Sequence, residues 1–115
     1  MSMTREEARS LLRRYRREMY RYNPKAMIFP KRNDYLETCV YGDYLVCELI
    51  RKINASQEDP IRVVSLVYVE LDDILGDSDD DHFETHRFAA RMEQECGNIL
   101  RYLRTAERRN EDAKN

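Results

Sequence analysis

Apolar residues along the chain recur in four runs, each with a spacing that predicts a helix. In the first, Ala8, Leu11, Leu12, Tyr15, Met19 and Tyr22 stand three or four positions apart, the period that lines one face of an α-helix. Thr4 followed by Glu7 reads as a capping box that starts this helix. Asn23-Pro24 stops it, because proline has no amide hydrogen to donate and its ring crowds the preceding turn. The apolar pentapeptide from Lys25 to Phe29, held between Pro24 and Pro30, is too short for a stable helix and predicts an extended connector lying over the core.

The second run, Leu36, Cys39, Val40, Leu45, Val46, Cys47, Leu49, Ile50 and Ile53, begins after Asn33 or Asp34, either of which can cap. Gly42-Asp43 interrupts it, leaving two options: one helix with a glycine at a close approach, which we favour, or two helices with Asp43 capping the second. Asp59-Pro60 then gives an acidic cap followed by proline at the first helical position. The residues from Ile61 to Leu71 are rich in β-branched side chains, and 61, 63, 67, 69 and 71 also fit a strand. Positions 63, 64, 67, 71, 74 and 75 keep the helical period up to Gly76, so helix is the expectation, and its apolar character predicts the most buried, central element. The last helix is expected to start between Ser78 and Asp80, with Phe83, His86, Ala89, Met92, Cys96, Ile99, Leu100 and Leu103 as its stripe.

These elements predict an all-α fold, a compact bundle of about four helices with a long last helix and a Pro-bounded extended connector after helix 1. Residues 1–109 make a single helical domain, and 110–115 a disordered polar tail.

Composition changes this picture in one respect. Charged residues make up 37% of the chain, well above an average domain, and the net charge of −2 conceals their uneven distribution. Residues 1–32 hold ten basic and three acidic side chains, a net +7, whereas residues 33–86 hold three basic and fourteen acidic, a net −11. Helices of opposite sign can neutralise one another by packing together, or a pole of one sign can remain on the surface and recruit a partner.

Candidate chemistry is sparse. His82 and His86 are one helical turn apart amid Asp77, Asp79, Asp80, Asp81 and Glu84, which suggests a metal site, but no His-Glu-x-x-His motif occurs. A calcium loop starting at Asp77 would have His82 where glycine is needed and Phe88 where the closing glutamate belongs. The reading is therefore an acidic helix start, with no metal, no cofactor and no catalytic residue. Serines lack a nucleophile elbow, and the three glycines are isolated, so no phosphate-cradling loop is present. Cys39, Cys47 and Cys96 form no Cys-x-x-Cys pair and read as reduced. No apolar run approaches the roughly 20 residues of a membrane span, and the expected location is the cytoplasm.

Two binding hypotheses follow, both non-enzymatic. In the first, Asp72, Asp73, Asp77, Asp79, Asp80, Asp81 and Glu84 present an acidic surface to a basic, nucleic-acid-handling protein, as an inhibitor or adaptor would. In the alternative, a nucleic-acid-binding regulatory protein uses the Arg-rich face of helix 1, with Arg9, Arg13, Arg16 and Arg17 on phosphates and Tyr20 for stacking. Phe88, Ile99 and Tyr102 widen the apolar face of the last helix and leave room for a homodimer. In overall character, short, highly charged and helical, the chain resembles small proteins encoded by bacterial phages and mobile elements, several of which inhibit host defence enzymes. That resemblance implies the inhibitor reading and transfers no residues.

Overall fold

The computed structural model describes residues 3–20, 32–76 and 83–114, with the side chains at 19–20, 32–40, 83–88 and 111–114 left aside. Among them are four helices and no strand: α1 (Arg5–Tyr20), α2 (Arg32–Ala55), α3 (Pro60–Gly76) and α4 (Phe83–Lys114). The all-α bundle read from the sequence is the observed fold. The connector at 24–30 lies outside the described residues.

Each helix begins or continues for a local reason. The Glu7 amide donates to Thr4 Oγ1 at 3.1 Å, and the Ala8 amide donates to the Thr4 carbonyl at 3.0 Å, so the threonine caps α1 as its spacing requires. Met3, one residue before the cap, is buried together with Ala8 on the first turn, the arrangement of a hydrophobic staple that fixes the entry of the chain. Gly42 is buried inside an uninterrupted α2, which settles the one-helix alternative. The reversal from α2 to α3 takes four residues, with the Ser56 amide bonded to the Ile53 carbonyl and the Glu58 amide to Ser56 Oγ. Val63 then donates to the Asp59 carbonyl at 3.0 Å, and Pro60 opens α3 where no amide donor is needed.

Burial along α3 discriminates helix from strand. An alternating strand would hide Val69 with Val67 and Leu71, yet Val69 is 52% exposed while Val64 is fully closed, as helical phase demands. The expectation that α3 is the central helix is corrected, because only its start, Pro60, Ile61, Val63 and Val64, is buried. α3 packs chiefly on α4, and beyond its first turn it leaves Leu66, Val69 and Ile74 open to solvent. α4 runs through Lys114, past residue 109 where the sequence reading ended the domain. No proline or glycine follows Gly97, so nothing in the backbone chemistry stops the helix earlier. At 1.5 Å per residue its 32 residues account for the 48 Å long axis of the molecule.

Cross-helix contacts establish the topology. Arg9 Nη1 donates to Asn54 Oδ1 at 2.7 Å and Arg16 pairs with Asp43, so α1 and α2 run antiparallel. Cys96 Sγ donates to the Val64 carbonyl at 3.7 Å, and Asp72, two turns further along α3, lies beside Glu93, which makes α3 and α4 antiparallel as well. Tyr15 joins α1 to α4, through its hydroxyl to Glu95 and its ring to Tyr102. The centre of this up-down bundle is filled by Leu12, Leu45, Leu49, Ile53, Val64, Ile99 and Leu103, all closed to solvent.

Candidate functional site

The acidic candidate surface is divided by what the structure describes. Asp72 and Asp73 lie exposed near the end of α3, while Asp77, Asp79, Asp80 and Asp81 fall outside the described residues and Glu84 belongs to α4 with its side chain left aside. Glu70 joins the two aspartates on the outside of α3. Leu66, Val69 and Ile74 are 46%, 52% and 44% exposed on the same helix. Positions 66, 69, 70, 73 and 74 share one face, so apolar and acidic side chains alternate along a single stripe. Sequence reasoning put Ile74 on the helical stripe and expected the whole apolar element to be buried, because periodicity reports that a face is apolar and not whether a neighbour covers it.

Negative charge is crowded at one edge of this stripe. Desolvation raises the Glu93 carboxyl above its ordinary range, and its hydrogen bond with Asp72 and the charge there raise it further. Two acidic side chains, one from α3 and one from α4, thus lie side by side, and Glu93 Oε2 is closed to solvent. Arg62 is the one basic residue of α3, and it pairs with Glu58 at 3.2 Å.

The basic candidates separate into two groups. Arg9 and Arg16 turn towards α2 and are engaged there by Asn54 and Asp43. Arg13 and Arg17 are exposed and have no ion pair among the described residues, and the side chain of Tyr20 lies outside the description. Part of the charge segregation is therefore neutralised by packing of α1 on α2, and part of it is left on the surface.

A concavity that the sequence did not signal runs between α1 and α4. It encloses about 870 Å³, with Leu11, Tyr15, Tyr102 and Ala106 as its floor. The rings of Tyr15 and Tyr102 meet edge to face with centroids 5.4 Å apart. Beneath them Glu95 is buried, and burial raises its carboxyl, partly opposed by hydrogen bonds from Tyr15 and Asn98 and by the nearby Arg91. Burial followed by the Glu95 charge raises the Tyr15 hydroxyl well above its usual range. Arg14, Arg101 and Arg109 line the groove with Glu6, Glu7 and Glu18, and Arg14 Nε pairs with Glu18 at 3.1 Å.

Among the described residues no group of three or more histidine, cysteine or acidic side chains is placed to hold a metal. His82 lies outside the described residues, as does the side chain of His86. Cys96 is closed in the core, where burial and the charge of Glu93 push its thiol up to about 12, and Cys47 is exposed. Ile99 is buried and Tyr102 is packed on Tyr15, so neither widens an open face for self-association, and the side chain of Phe88 is not described. No described helix is long and apolar enough to cross a membrane. Compared with protein-family models, with curated proteins and with solved structures, the chain matches none, and its function rests on the chemistry of its own surfaces.

Proposed function

We propose that the chain is a non-enzymatic protein-binding module that engages a basic, nucleic-acid-handling protein through the outer face of α3, as an inhibitor or adaptor of the kind encoded by phages or mobile elements. The observation that carries this reading is the exposure of Leu66, Val69 and Ile74 among Glu70, Asp72 and Asp73. Exposed aliphatic side chains gain free energy when a partner covers them, and an acidic rim selects a partner of opposite sign. Asp72 beside Glu93, whose carboxyl is raised, marks where a cationic side chain relieves like-charge crowding.

A photo-crosslinker at Val69, followed by identification of the captured protein and titration of the purified pair, tests the reading. A basic partner whose affinity falls at least about tenfold with Leu66→Ser and Val69→Ser together, and weakens with Asp73→Asn or with added salt, supports it. Capture that is indifferent to these changes, or that disappears on nuclease treatment, overturns it. The alternative reading, a nucleic-acid-binding regulatory protein, draws on Arg13 and Arg17, exposed and without an ion pair among the described residues. Its mark is salt-dependent DNA or RNA binding lost with Arg13→Gln and Arg17→Gln.

A further inference from the structure

On the reading proposed above, in which the outer face of α3 is a docking surface, we infer that what docks there is a single amphipathic basic α-helix of the partner. Its lysine or arginine side chains stand one turn along from its apolar ones on the same face.

The rows of side chains on α3 dictate this pattern. Leu66, Glu70 and Ile74 follow one another at steps of four, and so do Val69 and Asp73, so each row alternates an aliphatic with an acidic side chain. Eight residues separate Leu66 from Ile74, about 12 Å along the axis, which is the reach of two turns of a second helix. Rows with steps of four are the ridges that interlock when helices pack. A partner ridge of apolar, basic and apolar residues at the same steps covers the aliphatic side chains and sets a cation against Glu70 or Asp73. Arg62 begins the first row but is paired with Glu58 at 3.2 Å, so the carboxylates beyond it decide the sign of the face. Asp72 beside Glu93 extends the negative edge towards α4.

Other ways of holding a polypeptide do not match this face. Strand addition needs a sheet edge with open backbone donors and acceptors, whereas the backbone of α3 is bonded within its own helix. Polyproline segments dock in aromatic-lined grooves, and Leu66, Val69 and Ile74 are aliphatic. A standard folded interface buries roughly 800 Å² on each partner, far more than three half-exposed side chains supply. One helix fits the face in size, spacing and charge.

The probe is a fluorescein-labelled, alanine-based peptide of about sixteen residues with leucine, arginine and leucine four positions apart on one face, titrated against the full chain by fluorescence anisotropy. Saturable binding is expected, at least about tenfold weaker when a central alanine becomes proline, when the same residues are scrambled, or when arginine becomes glutamate. Leu66→Ser with Val69→Ser in the protein weakens it by at least about tenfold, and Glu70→Gln with Asp73→Asn by about threefold, while Arg13→Gln with Arg17→Gln leaves it unchanged. Binding that survives proline or scrambling, that ignores the α3 substitutions, or that fails to saturate at millimolar peptide overturns the inference. In the natural partner captured through Val69, the cross-link is expected within a helix of this pattern. A basic partner that depends on Leu66 and Val69 but is cross-linked in a strand, a loop or a proline-rich segment overturns the helix and leaves the reading of the face standing. A cross-link to residues 21–31 of this chain, or to a second copy, overturns both.

Discussion

The hydroxyl of Tyr15 on α1 donates to Oε2 of Glu95 on α4 at 3.0 Å, joining residues 80 positions apart beside the groove between these two helices. The bond satisfies a carboxylate that is 7% exposed. It also ties down a helix whose contact with α4 is otherwise slight. Removing the donor leaves the acceptor buried, and hydrogen bonds to charged groups contribute about 1.5–3 kcal/mol. Tyr15→Phe is expected to destabilise the fold by that amount at neutral pH, measured by urea denaturation, with a smaller loss in acid where Glu95 is neutral.

Glu95 also sets a pH dependence. Its carboxyl titrates higher in the folded chain than in the unfolded one, and Glu93 shifts in the same direction. Such groups contribute stability that is complete below the unfolded value and is lost as pH rises through the folded value. Glu95→Gln keeps an acceptor for Tyr15 and removes the charge. The variant is expected to melt above the wild type at pH 7.5, with the difference disappearing near pH 4, and a wild-type advantage at pH 7.5 would contradict the assignment.

Thiol reactivity separates two of the cysteines. Cys47 is exposed on α2, whereas Cys96 is closed in the core, bonded to the Val64 carbonyl, with its thiol pushed up to about 12. Since the thiolate is the nucleophile, iodoacetamide at pH 8 is expected to label Cys47 in the native protein and to reach Cys96 only in denaturant. Peptide mass mapping reads the difference.

Two helical glycines respond oppositely to an added side chain. A Cβ at Gly76 meets nothing within 4 Å, and no described glycine has a positive φ. Gly76→Ala therefore gains up to about 0.5–1 kcal/mol from restricting the unfolded chain. A Cβ at Gly97 stands 3.3 Å from Tyr68 Cε2, so Gly97→Leu drives α3 off α4 and costs about 1–3 kcal/mol. Thermal melts of the two variants should move in opposite directions.

Core and surface leucines differ in the same measurable way. Leu49 is fully closed at the bundle centre, and Leu49→Ala is expected to cost about 2–5 kcal/mol. Leu66 is 46% exposed on α3, and Leu66→Ser is expected to stay within about 0.5 kcal/mol of wild type. An equal loss at both positions would show that the α3 face is covered in the isolated protein.

Much of the fold was legible because the signals were local. Thr4 caps α1, Asp59-Pro60 opens α3 and the four apolar stripes become four helices, since capping and periodicity depend on neighbours within one or two turns. Where a helix ends depended on the same rules and was read less well, as Asn110–Lys114 shows: a polar composition does not by itself halt a helix that lacks proline or glycine.

The candidate sites were legible only in part. The sequence by itself determined that charge is segregated and that α3 is the most apolar helix. Only the tertiary structure decided that Leu66, Val69 and Ile74 of α3 are uncovered, that Arg9 and Arg16 are committed to α2, and that Tyr15 reaches Glu95 and Tyr102 on α4. Helical phase states which residues share a face. Which face meets another helix, and which is left to solvent, follows from how four cylinders pack around one core, a relation among residues many turns apart that no local pattern encodes.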